Sequence, residues 1–427
     1  MHDILILGGG ITGLAAAWTA RQAGAAATIV EAAPRAGGIL DSFEIDGFRF
    51  DNGVHLSFAT EPEVRAVFDL VPYREHDAIS FCWDNGVWLR HPTQNNMHPL
   101  PVEDRIALIE GLVREPRAEV ANYRDWLIQQ YGSPIAARWP LVYTEKYWTL
   151  PADRLGTDWI GQRMRRADLG EVLRGAMSER APNTYYIQRM RYPERGGYRG
   201  FIEPLERDAD IVPDTRIVAI DPGLRVATAA SGATFAYRSL ICTAPLPALV
   251  AMLPDVPDAV RADAATLFAT QADLVSVALR RPDVAPSLWM YVYDRDIMAA
   301  RIYAPGRKSP DNVPAGCSSL QFEIYSSVHR PRTQSDQDLI ENCLWGMERM
   351  GLARRDEVIF ARVKTLPYAN VVFDLGMEAR RDRVRAWVAA QGIALAGRYG
   401  AWEYLWSNQS FMSGRAAALA ALSEDTR

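Results

Sequence analysis

The feature that most constrains this chain lies near its start. Ile4 to Leu7 is a short apolar run, Gly8-Gly9-Gly10-Ile11-Thr12-Gly13 follows at once, and Leu14 to Ala23 is an Ala-rich helix former ended by Gly24. Thr28-Ile29-Val30 is a second apolar run, closing on Glu31. A GxGxxG turn between strand and helix, with an acid at the end of the next strand, is the dinucleotide-binding unit of a Rossmann-type fold. Each part has a physical task. Gly8 permits the tight turn, Gly10 leaves the backbone bare for a pyrophosphate, and Gly13 lets the helix pack on the strand. The helix N-terminus, with Thr12 in its first turn, offers unpaired amides and a partial positive charge to phosphate. Glu31, 18 residues beyond Gly13, is placed to accept hydrogen bonds from a ribose hydroxyl.

Composition bounds the rest. A length of 427 residues allows two or three domains. With 47 basic and 52 acidic residues, the net charge of −5 gives no bulk electrostatic reason to bind nucleic acid or an anionic membrane. Apolar residues at 48% and charged residues at 23% exclude wholesale disorder. Cys82, Cys242, Cys317 and Cys343 are scattered, so neither a metal site nor a disulfide framework is expected. The N-terminus enters a strand without a leader pattern, and prolines break the most apolar stretch, Leu240 to Leu253. The expectation is a cytoplasmic enzyme with a small-molecule partner and no membrane span; a homodimer stays open. Lysine occurs only at Lys146, Lys308 and Lys364, an arginine bias that codon usage explains.

Further along, Phe81 to Leu89 alternates around Asp84-Asn85-Gly86, a hairpin signal. His91 to Met97 is a polar loop, and Pro101 to about Ala181 is rich in helix formers. Arg191 to Tyr198 is a loop leading into Phe201 to Leu205. Short strands are expected at Thr215 to Ile220, Val226 to Thr228 and Ser239 to Ala244, then at Leu274 to Leu279, Trp289 to Tyr293, Ala299 to Tyr303 and Ser319 to Tyr325. Helices are expected at Asp336 to Met350 and from about Ser407 to Leu422, with a strand at Ile393 to Ala396 between them.

After Glu31 comes Pro34-Arg35-Ala36-Gly37-Gly38, and Asp51-Asn52-Gly53-Val54-His55 follows. The arginine and glycine pair resemble the FAD-binding extension of the amine oxidase and protoporphyrinogen oxidase superfamily, and the second stretch resembles the segment that reaches the flavin ring. The resemblance implies FAD as cofactor, with Arg35, Gly37, Gly38, Asn52 and Gly53 among its contacts. Val218, on a middle strand, is a further cofactor-binding candidate. The fold implied is α/β: a discontinuous Rossmann-type FAD-binding domain from residues 1–80, 190–248 and 361–427, a helical insert over 100–189, and a mainly antiparallel sheet forming a substrate domain from 81–99 and 249–360. Gly397-Arg398-Tyr399-Gly400 before the last helix would aim amides at the flavin.

Within the superfamily the chain looks closest to UDP-galactopyranose mutase-like flavoproteins. Tyr143-Thr144-Glu145-Lys146-Tyr147-Trp148 is similar to their YTEKQW segment, Arg163 to the arginine that follows, and Asn95-Asn96-Met97 to a loop lining the sugar pocket. Gly397 to Tyr404 resembles their C-terminal flavin segment, and His55 a histidine near the flavin. These likenesses imply Asn96, Tyr143, Lys146, Arg163 and Trp402 as substrate contacts and His55, Arg301 and Tyr404 as catalytic residues. Two departures matter. Leu320 to Tyr325 lacks the arginine that mutases keep there, which Arg301 on the preceding strand could replace, and Thr149 stands where a glycine is usual. Neither Lys308 nor Lys364 sits in a convincing context for an amine-oxidase lysine.

Three functions remain open. The first is an FAD oxidoreductase transferring hydride from a sugar or nucleotide sugar to flavin N5. The second is a redox-neutral pyranose–furanose isomerase using reduced FAD as nucleophile, with arginines on a diphosphate. The third is a non-catalytic flavin-binding module.

Overall fold

The computed structural model describes residues 2–116, 118–161, 164, 168–179 and 187–424. The strand His2–Leu7 lies at the centre of the first sheet, in parallel with Ala27–Val30 on one side and Thr234–Cys242 on the other. Asp210–Val212 and Ile393–Leu395 flank these in parallel. A parallel strand covered on both faces needs an unbroken apolar run, and Ile4 to Leu7 are all buried. The first half of Thr234–Cys242 pairs antiparallel with Val226–Ala229, which in turn pairs with Ile217–Asp221. The helix Ile11–Gln22 packs against the C-terminal helix Ser407–Glu424 at very short range. A Cβ at Gly414 would sit 2.0 Å from the Thr12 carbonyl oxygen.

The second sheet has seven strands in the order Val358–Leu366, Gln271–Leu279, Ser318–Ser326, Arg301–Tyr303, Trp289–Val292, Phe81–Asp84, Val87–Arg90. Its neighbours are antiparallel except for Trp289–Val292 with Phe81–Asp84. The expected hairpin turns through Asn85 at φ 47° and Gly86 at φ 92°, the two left-handed positions its tight turn demands. Ser318–Ser326 is buried along its length, so alternation sorts its side chains. Leu320, Phe322 and Ile324 join the core of Leu339, Cys343 and Met347 from the helix Asp336–Arg349. Glu323 and Tyr325 project to the other face, into the functional cavity.

Among the described residues, five α-helices run from Val102–Arg114 to Leu169–Met177, the region expected as a helical insert. It is fastened to the second sheet where Arg138 Nε and Trp139 Nε1 donate to Asp84 at 2.7 and 3.0 Å.

Three of the structure's departures from the sequence reading are these. Val358–Leu366 pairs along its length with Gln271–Leu279, so residues 361–366 belong to the second sheet rather than to the dinucleotide-binding part. Arg189–Pro193, with its last three residues expected in a loop, is a strand paired with Tyr73–Asp77. Met377–Ala390, not anticipated, is an arginine-rich helix that buries only Met377, Val384 and Val388.

Candidate functional site

The dinucleotide turn is built from tight glycine contacts. Gly8 has φ 104°, and a Cβ there would meet Thr243 Oγ1 at 2.4 Å; a Cβ on Gly13 would meet the Gly8 carbonyl oxygen at 2.0 Å. Gly10 differs, because a Cβ there would meet nothing within 4 Å. It fronts open space, as a pyrophosphate requires. Glu31 accepts from Gly9 N at 2.6 Å and Ala33 N at 2.7 Å, so its carboxylate sits beside the turn. The Gly37–Gly38 loop lies against the turn: Gly37 N donates to Gly9 O at 2.9 Å, and a Cβ on Gly38 would be 3.2 Å from Gly10 Cα. Arg199 holds this loop from behind, donating to Ala36 O at 2.6 Å and Asp41 at 3.1 Å. Bare backbone, facing glycines and an acid at the strand end fit the pyrophosphate and ribose of a dinucleotide.

A cavity of about 1050 Å³ starts at this turn. Next along its wall comes the turn Asn52–His55. Asn52 Nδ2 donates to Gly38 O at 3.3 Å, Lys364 Nζ donates to Asn52 Oδ1 at 2.8 Å, and Val54 N donates to Glu323 at 2.8 Å. Gly53 has φ 100°. His55 Nε2 lies 3.2 Å from Asn52 O, and burial lowers its pKa to about 4, so the ring is neutral at neutral pH. Gly397 and Arg398 close the opposite side. A Cβ on Gly397 would be 2.4 Å from Thr12 Oγ1, which ties this segment to the first helix. Arg398 Nε donates to Leu405 O at 2.9 Å, and its guanidinium lies 5.5 Å from the Tyr404 ring centroid.

The far end of the cavity is an aromatic chamber. Tyr143 stacks on Tyr147 at 5.2 Å and meets Tyr291 edge-on at 5.3 Å; Tyr404 packs edge-on against Trp148 and Trp159. A hydroxyl network runs through it: the Tyr404 and Tyr147 oxygens are 3.3 Å apart, and Tyr147 donates to Asn370 Oδ1 at 2.9 Å. Arg301 enters from the second sheet directly opposite Glu323 in register. Its Nε donates to Glu323 Oε2 at 2.6 Å, Tyr325 OH donates to the same oxygen at 2.7 Å, and Arg301 Nη2 reaches Tyr325 OH at 3.3 Å. Burial opposes charge on Arg301, but Glu323 outweighs it and keeps the guanidinium protonated. His91 also lines the chamber, neutral through burial with a pKa lowered to about 4.

Of the residues singled out in the sequence, Gly8, Gly10, Thr12, Glu31, Gly37, Gly38, Asn52, Gly53, His55, Gly397 and Arg398 share this cavity with Tyr143, Arg301 and Tyr404. Others do not reach it. Arg35 is half-exposed and paired with Asp41 at 2.9 Å. Val218 sits at a register shift in its strand and is 47% exposed, while Arg216 and Ile217 line the cavity. Lys146 Nζ points away and donates to Val292 O and Asp294 O, both at 2.9 Å. Asn96 folds back on its own loop, donating to Pro92 O at 2.9 Å, and leaves the wall to Thr93, Gln94 and Asn95. Trp402 has φ 55° and is fully buried in the main core. Arg163 lies outside the described residues. Sequence reasoning missed Tyr147, Glu323, Tyr325 and Asn370; for Glu323 and Tyr325, the available signal is the alternation of Gln321, Glu323 and Tyr325 with the apolar Leu320, Phe322 and Ile324.

Comparison with known proteins agrees with this geometry. Residues 6–71 match the family model of the NAD(P)-binding Rossmann-like domain. A reduced UDP-galactopyranose mutase is similar over 100% of this chain and 97% of its own, with TM-score 0.93 and 24% identity. A candidate protoporphyrinogen oxidase from Exiguobacterium sp. 255-15 is similar over 99% of each chain, with TM-score 0.74 and 20% identity. Putrescine oxidase, in a structure bound to putrescine, matches over 99% of each chain with TM-score 0.63 and 16% identity.

Proposed function

We propose that this chain, which has the fold of the amine oxidase superfamily with a dinucleotide-binding domain, binds FAD and is an enzyme. Its substrate is a small molecule bearing a sugar ring, oxidised in the aromatic chamber. The observation that carries this reading is a single cavity lined at one end by the GxGxxG turn and at the other by the Arg301–Glu323 wall. Gly8, Gly10, Thr12 and Gly37–Gly38 would take the pyrophosphate and Glu31 the ribose. Asn52–His55 and Gly397–Arg398 would border the flavin, which supplies a hydride acceptor when bound. The chain's own part is to bind and orient. The flat faces of Tyr143 and Tyr147 suit the C–H face of a sugar ring, and the Tyr404–Tyr147–Asn370 network fixes the directions in which ring hydroxyls find partners.

Arg301 and Arg398 already hold Glu323 and a backbone carbonyl. This favours a neutral ring over a diphosphate at that wall. The second reading, a redox-neutral nucleotide-sugar isomerase, is supported by the TM-score of 0.93 to the mutase and by Tyr143, Arg301 and Tyr404 sharing one chamber. Anaerobic incubation separates the two. Bleaching of the oxidised flavin by free or nucleotide-linked hexoses supports oxidation. Furanose product from UDP- or GDP-hexopyranose, formed by reduced enzyme without net flavin oxidation, would sink it. Protein that shows no flavin absorbance even after reconstitution would remove both readings.

A further inference from the structure

Lys308 is fully buried, and so is the Asp51 carboxylate it touches. Neither has a task in the chemistry above. Their ion pair joins the two halves of the molecule. Asp51 ends the strand Phe48–Asp51, and Lys308 ends the helical turn Pro305–Lys308 beyond the second-sheet strand Arg301–Tyr303. The carboxylate takes further donors: Ser42 Oγ at 2.8 Å, Tyr192 OH at 2.8 Å and Tyr198 N at 2.9 Å. The Asp51 backbone is held too, since its N–H donates to Tyr303 OH at 2.9 Å and that hydroxyl donates to Asp51 O at 3.0 Å. The ammonium rests 4.1 Å from the Tyr303 ring centroid and 4.6 Å from that of Tyr192. Burial alone would raise the Asp51 carboxyl, but Lys308 and these donors outweigh it and hold it below the usual carboxylate range.

Such an assembly is a poor route to stability. Desolvation of two charges offsets their attraction, and apolar residues of similar volume often do as well. What it gives is one arrangement rather than several. The segment so arranged follows at once: Asn52–His55, the cavity wall between the pyrophosphate cradle and the chamber. Asp51 anchors this turn from behind, while Gly38 and Glu323 hold its front.

We infer that the Lys308–Asp51 pair is a positioning device, holding Asn52–His55 where it borders a flavin ring; this rests on the FAD reading above. A pair that served stability alone would change the melting temperature and leave the flavin environment untouched.

The test uses the FAD-loaded protein as wild type, Lys308→Met, Asp51→Asn and the double variant. Visible absorbance, flavin midpoint potential and FAD affinity are read beside the melting temperature. Lys308→Met leaves a lone buried carboxylate and is expected to bind FAD at least tenfold more weakly. The double variant buries no charge. It is expected to regain a melting temperature near wild type while its flavin bands and potential stay shifted and its FAD affinity stays at least threefold reduced. A double variant matching wild type in all three flavin readouts would overturn the inference. Should the double variant not fold, Asp51→Asn is measured by the same three readouts, and wild-type values in all of them would overturn the inference equally. Wild-type protein that takes up no FAD would instead remove the cofactor reading, and the inference with it.

Discussion

The dinucleotide turn and the aromatic chamber are two ends of one cavity, made by opposite means. The turn is made of backbone. At Gly8 and Gly13 a Cβ would collide, Gly38 takes the left-handed φ of 56° that favours glycine, and Gly10 fronts open space. All of it lies within residues 8–38. The chamber is made of side chains brought from far apart: Tyr143 and Tyr147 from the insert, Tyr291, Arg301 and Tyr325 from the second sheet, Tyr404 from near the C-terminus. A backbone site fails when bulk is added. A side-chain site fails when a pair is broken.

The largest expected effect tests the second half of that contrast. Arg301→Met leaves Glu323 buried without its cation and is expected to destabilise the fold by about 3–5 kcal/mol in chemical denaturation. Adding Glu323→Gln should recover most of it. A loss under about 1 kcal/mol would show that this wall is not held by paired charge. The next effect tests the first half. Gly13→Ala is expected to cost about 2–3 kcal/mol, since its methyl meets a carbonyl that cannot move alone. Gly10→Ala should leave stability within about 0.5 kcal/mol yet weaken FAD binding about tenfold, or by about 1.4 kcal/mol, in a flavin titration. Equal effects of the two substitutions on folding would erase the distinction between packing and binding glycines.

A further comparison of the two ends runs through pH. His55 in the turn Asn52–His55 and His91 in the chamber are each lowered by burial to about 4, whereas an unfolded histidine titrates near 6.5. Below about 6.5 the unfolded chain binds more protons. Stability should therefore fall with acidification between about 6.5 and 4, each ring contributing about 1.4 kcal/mol per pH unit. His55→Gln and His91→Gln should each flatten the stability–pH curve in that window. A curve unchanged by one of them would show that end of the cavity to be wet.

The same contrast governs what the sequence made legible. The turn could be read because its constraints are local. The chamber could be read only in part. In the helix Pro140–Tyr147, Tyr143 and Tyr147 lie four apart and share a face, while Lys146 is turned about 100° from Tyr147 and caps carbonyls instead. A one-residue irregularity in the strand Ile217–Asp221 swung Val218 outward. The left-handed backbone at Trp402 sent its ring into the core, two residues before the Tyr404 that does reach the chamber. Arg301 stands one strand over from Leu320 to Tyr325, opposite Glu323, a relation that only strand pairing creates. Val358–Leu366 escaped notice as a strand because its burial pattern is irregular, with Ile359 41% exposed.

The close seat of Gly414 on Thr12 has a consequence in time. Strand, turn and first helix are made before the surface they rest on, which follows some four hundred residues later. At translation rates of about 5–20 residues per second this is roughly 20–80 s. For roughly the first half of that interval the GxGxxG unit lacks its neighbouring strand Thr234–Cys242, and for all of it the covering helix Ser407–Glu424. Cofactor loading is thus expected only once Ser407–Glu424 has emerged, and a nascent chain halted before Gly414 should hold no flavin.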